Sequence, residues 1–309
     1  MQDTTHLSGV IAPVLTPFAE DGGPDTDRFI EHCEWLLEDG CTALAPFGTT
    51  SEGPSLGLDE RMELLEDMIE AGIDPARLMP GTGAPSLADA IVLTQHAVDL
   101  GCAGALVLPP YFFKQPDTEG LYRYYAELIE EVGDHRLRLY LYHIPQMTTV
   151  PITLELIDRL VSEYPDEIVG LKDSSGDMAN TLRVIEAFPD LAVFPASESF
   201  LIEGMKHGAA GCISATANVQ ARAIRSLYDQ ADSEVAASLQ ARVAEVRAAI
   251  QKAPTIPGLK ALIAHYRNDP QWLVVRPPLV AMEAAEQARL VDDLRREVDF
   301  SIPIAIEAG

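Results

Sequence analysis

One lysine stands where an amine could do covalent chemistry. Lys172 ends the short apolar run 168–172, which has the character of a buried strand. Burial strips water from the amine, disfavours the charged ammonium form and leaves a nucleophile that can form a Schiff base with a ketone. The alternative is a salt bridge between Lys172 and the adjacent Asp173, and the residue pattern alone leaves both open. The remaining lysines fall in predicted loops and helices: Lys114, Lys206, Lys252 and Lys260.

A tyrosine ends the predicted strand that precedes Lys172 in the chain. Side chains alternate between two faces along residues 140–145, so Tyr140 and Tyr142 share one face and His143 points to the other. A phenol near the end of a strand can carry a proton to and from a bound substrate. The alternative is that Tyr142 is a packed strand residue. We expect His143 to form hydrogen bonds on the outside of the sheet.

A polar segment after the second predicted strand could bind an anion. Residues 47–53 (FGTTSEG) combine glycines, consecutive backbone N–H groups and three hydroxyls. These groups suit a substrate carboxylate. Because any polar loop between a strand and a helix could have this composition, the segment by itself is a weak indication of a site.

The sequence has no recognisable metal or cofactor motif. Its seven histidines include no pair three or four residues apart, the spacing of zinc ligands on one helix face. It also lacks a GxGxxG turn, a phosphate-binding loop and a nucleophile elbow. We therefore expect chemistry that uses neither a metal nor a cofactor.

The charge of the chain limits its partners. Among 309 residues, 48 Asp and Glu outnumber 22 Lys and Arg, which gives a formal net charge of −26. Such a surface repels nucleic acid and anionic lipid, and no apolar run approaches the length of a membrane span. The first seven residues lack signal-peptide character, and the four cysteines are scattered in apolar segments, which is typical of reduced core residues. We expect a cytoplasmic protein that acts on a small molecule.

Strands and helices alternate through most of the chain, and this order predicts the framework that positions Lys172 and Tyr142. Eight short apolar runs recur roughly every 30 residues, each followed by a helical segment, which is the count for a (β/α)8 TIM barrel. Barrel enzymes carry their chemistry at the carboxyl ends of the strands. An open doubly wound sheet would more often have five or six strands and a glycine-rich turn after the first. The predicted strands are 9–15, 43–47, 78–81, 103–108, 137–144, 168–172, 192–195 and 211–214.

The pattern changes near residue 232. Beyond this point no further strand and helix unit follows, and residues 235–250, 258–265 and 283–298 are predicted helices. We expect a barrel that holds the active site over residues 1–232. A C-terminal helical appendage over residues 233–309 would pack on that barrel.

Three segments together resemble the dihydrodipicolinate synthase / N-acetylneuraminate lyase family, whose members are class I lyases on (β/α)8 barrels. The segments are 48–52 (GTTSE), 142–145 (YHIP) and 170–175 (GLKDSS), and the similarity extends to residues 13–18, 81–83 and 211–214. The resemblance implies that Lys172 forms an imine with pyruvate or another 2-oxo acid. It also implies that Tyr142 relays protons beside the bound carbonyl.

The same resemblance assigns further residues to the substrate. Thr49 would bond its hydroxyl to that of Tyr142. The turn formed by Gly48, Thr49 and Thr50 would hold the carboxylate of the 2-oxo acid. The carbonyl of Ile213 would line the pocket. The family also implies a homotetramer, often arranged as a dimer of dimers.

Two departures from the family pattern bear on the substrate. Dihydrodipicolinate synthases usually have an arginine two residues after the proline of the tyrosine segment, where this chain has Met147. Their relay tyrosine after the fourth strand corresponds to Phe112 here or is displaced to Tyr111. Because a thioether cannot bind a carboxylate, we favour an aldolase or dehydratase for a sugar-derived 2-keto-3-deoxy acid. Polar residues after the seventh strand would then contact substrate hydroxyls: Ser197, Glu198 and Ser199.

Two other functions stay open at this point. One is dihydrodipicolinate synthase itself with an altered proton relay, which predicts condensation of pyruvate with aspartate semialdehyde. The other is a catalytically silent barrel that binds a 2-oxo acid, which predicts no covalent adduct on Lys172.

Overall fold

The computed structural model describes residues 6–302, in which seven short strands and twelve helices alternate. The strands are β1 (Gly9–Ala12), β2 (Ala43–Leu44), β3 (Ala105–Val107), β4 (Leu139–His143), β5 (Ile168–Asp173), β6 (Ala192–Pro195) and β7 (Gly211–Ile213). The helices are α1 (Thr26–Glu38), α2 (Leu58–Glu70), α3 (Leu87–Asp99), α4 (Thr118–Val132), α5 (Pro145–Thr148), α6 (Leu154–Glu163), α7 (Met178–Ala187), α8 (Leu201–Lys206), α9 (Ala217–Asp229), α10 (Ala236–Ile250), α11 (Thr255–Arg267) and α12 (Ala284–Val298).

The third predicted strand is a bridging segment rather than a continuous strand. Leu78 pairs with Leu44 and Gly81 pairs with Leu106, each as an isolated parallel bridge. Pro80 lies within the segment and has no N–H to donate to a ladder. The prediction of a regular strand at this place is therefore wrong, although the segment still occupies the position between β2 and β3.

The strands and the bridging segment close into one barrel. All strand pairs are parallel, in the orders β2-β1-β7 and β3-β4-β5-β6. The bridging segment joins β2 to β3. On the other side, the N–H of Ala210, just before β7, donates to the carbonyl of Val193 in β6 at 2.9 Å. The predicted (β/α)8 barrel is confirmed, with helices between successive strands covering the outer face.

A tyrosine fills the barrel interior near the amino ends of the strands. Tyr140 is 1% exposed and stands two residues before Tyr142 on β4. Gly104 and Gly170 leave space for its ring, because a Cβ at these positions would lie 2.6 Å and 2.4 Å from ring atoms. The Tyr140 hydroxyl accepts a hydrogen bond from the N–H of Leu7 at 3.2 Å. The apolar interior cluster further includes Ile11, Met79, Leu106, Val169 and Phe194.

Three helices follow the last barrel helix and pack against the barrel. The predicted helices after residue 232 correspond to α10, α11 and α12, whose apolar faces form a common cluster with Leu15 and Val219. Arg28 in α1 also forms an ion pair with Asp269, just after α11, at 2.6 Å. These contacts attach the C-terminal helices to the barrel, while the domain boundary at residue 232 stays a prediction.

Two ends of the chain lie outside the described part. They are residues 1–5, part of the segment for which no signal peptide is predicted, and residues 303–309, the end of the predicted appendage. Within residues 6–302, no helix combines the length and the apolar character that crossing a membrane requires.

Candidate active site

The structure brings Lys172 and Tyr142 together on adjacent strands. Tyr142 in β4 is in register with Lys172 in β5, near the carboxyl ends of both strands. The Nζ atom of Lys172 lies 4.2 Å from the centroid of the Tyr142 ring. Both residues are 3% exposed. An amine and a phenol are thus held in contact at the end of the barrel where TIM-barrel enzymes bind their substrates.

The acidic neighbour of Lys172 is engaged elsewhere. The carboxylate of Asp173 accepts hydrogen bonds from the Ser175 N–H at 2.8 Å, the Asn180 amide at 2.9 Å and the Thr181 hydroxyl at 2.8 Å. These donors belong to the following loop and the start of α7. Among the described residues, Asp173 therefore binds the loop after β5 and side chains in the first turn of α7, and it does not form the strand-end salt bridge that was the alternative for Lys172.

The hydroxyl of Thr49 meets the hydroxyl of Tyr142. The Thr49 Oγ1 to Tyr142 Oη distance is 3.1 Å, and either atom can be the donor. Burial raises the pKa of the Tyr142 phenol. The positive charge of Lys172, together with polar contacts from Thr49, Lys172 and Ser174, outweighs this effect and places the pKa below its ordinary value. The phenol is therefore more acidic than a free tyrosine, which suits a group that exchanges protons.

The loop that carries Thr49 has an unusual backbone. Phe47 and Glu52 both adopt positive φ angles, 63° and 56°, although neither is glycine. The loop folds back on itself because the N–H of Gly53 donates to the carbonyl of Gly48 at 3.0 Å and that of Glu52 to Thr49 at 3.1 Å. Non-glycine residues in this conformation are strained, and such strain is concentrated at functional sites.

Neighbouring segments hold this loop against the barrel. Thr50 is buried, at 9% exposure, and the Thr16 hydroxyl after β1 donates to the Ser51 carbonyl at 2.8 Å. At Gly53, a Cβ would lie 1.9 Å from the Phe47 carbonyl oxygen, so only glycine permits this close return of the chain. The loop is therefore a fixed structure rather than a generic polar connection.

Three other predicted residues lie at or after the carboxyl ends of their strands. Ile213 is the last residue of β7 and is in register with Ile11 of β1. Ser197 follows β6, and its hydroxyl accepts the N–H of Ser199 at 3.1 Å. Tyr111 follows β3 and is half-buried, and burial raises the pKa of its phenol. Their contacts with a substrate stay predictions.

Glu198 does not suit the role of a substrate ligand. It is fully buried, and its carboxylate accepts hydrogen bonds from the Gln220 amide and the Arg247 guanidinium, each at 2.9 Å. The hydroxyls of Ser214 and Thr216 also donate to it. Because four protein donors occupy this carboxylate, the expectation that Glu198 contacts substrate hydroxyls is wrong.

His143 faces the outside of the barrel wall. Its Nδ1 accepts the backbone N–H of Ile152 at 3.0 Å, in the segment before α6. Burial lowers the pKa of His143, and the nearby Asp173 carboxylate opposes this effect. A neutral imidazole that accepts a backbone hydrogen bond has a structural role, as the strand alternation predicts.

Two groups near the site were not singled out from the sequence. Ser174, the residue directly after β5, contacts the Tyr142 phenol. Lys260 in α11 forms a fully buried ion pair with Glu52, three residues from Thr49. A lysine inside the apolar stretch 259–264 was a usable signal for the second group, because a buried ammonium needs a partner of opposite charge.

The chain matches the dihydrodipicolinate synthetase family over residues 6–297. It is 36% identical over 285 residues to an uncharacterised DapA-like lyase of Chloroflexus aurantiacus, covering 91% of this chain and 94% of that protein. It is 32% identical over 290 residues to a 4-hydroxy-tetrahydrodipicolinate synthase of Rhizobium meliloti, covering 93% and 96%.

A solved structure extends the similarity to three dimensions. The crystal structure of a dihydrodipicolinate synthase from Agrobacterium tumefaciens superimposes with a TM-score of 0.87 at 31% identity, covering 93% of this chain and 98% of that one. The similarity therefore includes both the barrel and the helices that follow it.

Proposed function

Since the chain belongs to the dihydrodipicolinate synthetase family, we propose that its Lys172 is the amine that forms a Schiff base with a 2-oxo acid. Members of this family are class I lyases, and this chain is a lyase of that class. The observation that carries the assignment is the buried contact between Lys172 and Tyr142, with Thr49 bonded to the phenol. A nucleophile and a proton-transfer group in contact are the two parts that imine chemistry requires.

The reaction begins with attack of the Lys172 amine on the keto carbon of the substrate. The nitrogen gives up one of its two protons and the Tyr142 phenol supplies a second, so that the carbonyl oxygen departs as water and a protonated imine forms. The phenol of Tyr142, beside the reacting carbon, gives a proton to the departing oxygen and takes it back in later steps. The Thr49 hydroxyl orients the phenol and shares its hydrogen bond.

Bond cleavage follows from the positive charge on the imine nitrogen. In an aldolase, the C4 hydroxyl loses its proton to the Tyr142 phenolate, the C3–C4 bond breaks and an aldehyde leaves. The electron pair of that bond forms an enamine with C3. Protonation of C3 and hydrolysis of the imine then release pyruvate and restore Lys172. In a dehydratase, C3 instead loses a proton and the hydroxyl on the next carbon leaves as water.

The residue at position 147 favours a substrate whose part beyond the 2-oxo acid carries no carboxylate. Met147 lies in α5 beside the loop after β4 and is 67% exposed. A thioether offers no charge to a carboxylate, whereas the synthases of this family usually have an arginine here. We therefore favour cleavage or dehydration of a sugar-derived 2-keto-3-deoxy acid over condensation of pyruvate with aspartate semialdehyde. Dihydrodipicolinate synthase activity is the second candidate, supported by the named relatives.

Covalent trapping tests the proposed nucleophile. Incubation with pyruvate and borohydride is expected to reduce the imine to a stable secondary amine on the peptide that contains Lys172, measured by mass spectrometry. Borohydride without pyruvate is the control. An unmodified Lys172 peptide would contradict the Schiff base and leave the silent binding barrel as the better description.

The same preparation separates the two enzymatic candidates. We expect pyruvate release from 2-keto-3-deoxy sugar acids and little condensation of pyruvate with aspartate semialdehyde. Rapid condensation would instead assign synthase activity and overturn the argument from Met147.

We further propose that the protein works in the cytoplasm as a homotetramer. The thiols of Cys33, Cys41 and Cys212 are free and buried, which suits a reducing compartment. Phe112 and Phe113 follow β3 and are 72% and 76% exposed, with their rings edge to face at 5.4 Å. A second copy of the chain would cover this apolar pair. Light scattering is expected to give a tetramer mass, and a monomer mass would contradict the proposal.

A further inference from the structure

A second buried lysine lies outside the residues assigned to the reaction. Of the five lysines, Lys172 and Lys260 are buried, at 3% and 0% exposure. The Lys260 ammonium in α11 pairs with the Glu52 carboxylate and donates to the Val274 carbonyl at 2.8 Å. Its Nζ lies 4.4 Å from the centroid of the Phe18 ring. A charge removed this far from water persists only with partners of this kind.

The carboxylate of Glu52 joins the C-terminal helices to the loop that carries Thr49. One oxygen binds Lys260, and the other accepts the backbone N–H of Arg276 at 2.9 Å. Both donors belong to the segment after residue 232. The Arg276 guanidinium also donates to the Ser55 carbonyl at 2.9 Å, just beyond the same loop. The loop is thus tied to α11 and the segment after it at two points.

This attachment acts on the backbone next to Thr49. Glu52 has φ 56°, a conformation that a non-glycine residue adopts only when its surroundings impose it. Its N–H donates to the Thr49 carbonyl at 3.1 Å. The Thr49 hydroxyl in turn lies 3.1 Å from the Tyr142 hydroxyl. A chain of direct contacts therefore runs from Lys260 through Glu52 and Thr49 to Tyr142.

The geometry points to Lys260 and Glu52 as positioning residues for the proton relay, which hold Thr49 where its hydroxyl meets Tyr142. This inference rests on the proposed function, because it concerns the same reaction. A displacement of about 1 Å at a reacting group can reduce the rate about 100-fold. The C-terminal helices would then contribute to turnover, although none of their side chains contacts the reacting atoms.

A paired substitution tests this role without leaving a buried charge. Lys260→Met alone would leave Glu52 unpaired in the interior, and the chain could fail to fold. Lys260→Met combined with Glu52→Gln removes both charges at similar volume. We expect the pair variant to reach the same final extent of pyruvate trapping on Lys172 as wild type, while kcat falls roughly 10- to 100-fold. A change in KM alone, or wild-type kcat, would overturn the inference.

The pH profile separates positioning from a general effect on stability. The contact with Thr49 lowers the pKa of Tyr142, so loss of this contact raises that pKa. The alkaline decline of kcat is therefore expected to move to higher pH in the pair variant. A uniform drop at all pH values would indicate a structural role only and would overturn the inference.

A double-mutant cycle with Thr49→Val identifies the route. If Lys260 and Glu52 act through Thr49, the Thr49→Val substitution lowers kcat in wild type but by less than about 3-fold in the pair variant. Multiplicative effects would overturn the inference. If the pair variant does not fold, Glu52→Asp enters the same cycle, because it keeps a carboxylate opposite Lys260 but shortens the side chain that joins it to the backbone next to Thr49.

The matched control removes another ion pair between the barrel and the C-terminal segment. Arg28→Met with Asp269→Asn breaks the pair between α1 and the turn after α11, and we expect wild-type kcat. A loss equal to that of the Lys260 pair variant would show that any weakening of the attachment suffices, and would overturn the specific role. Wild type that is not trapped by pyruvate and borohydride would refute the proposed function instead. Trapping in wild type together with unchanged kcat in the pair variant would refute only the positioning role.

Discussion

Replacing Lys172 with alanine is expected to abolish turnover and covalent trapping together. The methyl group cannot attack a carbonyl, and no other buried amine lies next to Tyr142 in the described part of the chain. We expect the rate to fall by roughly 10⁵-fold or more, the scale seen when a nucleophile that works as a unit with its partners is removed. Initial rates of pyruvate release measure the first effect, and the mass of the borohydride-treated protein measures the second.

Lys206→Ala is the matched control for this substitution. Lys206 ends α8 and is exposed, so its removal is expected to leave both rate and adduct unchanged. Circular dichroism verifies that the Lys172→Ala variant is folded. A folded variant that retains even a hundredth of the wild-type rate would show that Lys172 is not the nucleophile.

Replacing Tyr142 with phenylalanine is expected to slow proton transfer while the imine still forms. The ring is kept, so packing against Lys172 persists, but the phenol is lost. A positioned proton donor and acceptor contributes about 10²- to 10⁴-fold, and we expect kcat to fall by that factor. The pKa of Tyr142 lies below its ordinary value, so wild-type kcat should decline before the pH reaches the ordinary tyrosine pKa of about 10. This alkaline decline should be absent in the variant.

Tyr140→Phe provides a control on the same strand. Tyr140 faces the same interior two residues earlier, and its hydroxyl accepts a hydrogen bond from Leu7 rather than from the reacting group. We expect its kcat to stay near that of wild type. Equal losses in the two variants would mean that ring packing, and not the Tyr142 hydroxyl, determines the rate.

The alternation of apolar strands and helices was sufficient to predict the barrel. Continuous apolar runs identify strands that are buried on both faces, and Lys172 was predicted to lie at the carboxyl ends of the strands, where barrel enzymes bind their substrates. The strand alternation also predicted correctly that His143 would face away from Tyr142. These features depend on short-range periodicity, which a single sequence contains.

Other features depend on contacts between distant parts of the chain. Glu52 and Lys260 are 208 positions apart, and nothing in either local pattern specifies that they meet. The position of Glu198 after its strand suggested a substrate ligand. Its carboxylate instead accepts a hydrogen bond from Arg247, 49 positions later in the chain. The prediction of a continuous strand at 78–81 was wrong for a reason that the local sequence contains, because Pro80 has no N–H to donate to a ladder. The partners of buried charges that are distant in the chain can therefore be identified only from the structure.

The glycines beside Tyr140 have a consequence for the order of events in a cleavage reaction. Gly104 and Gly170 allow the Tyr140 ring to fill the barrel interior below Lys172, so we expect reactants to enter and leave at the carboxyl ends of the strands. In the proposed cleavage, the pyruvate fragment stays bonded to the Lys172 amine, whereas no covalent bond holds the aldehyde. The aldehyde must therefore depart before pyruvate is freed by hydrolysis.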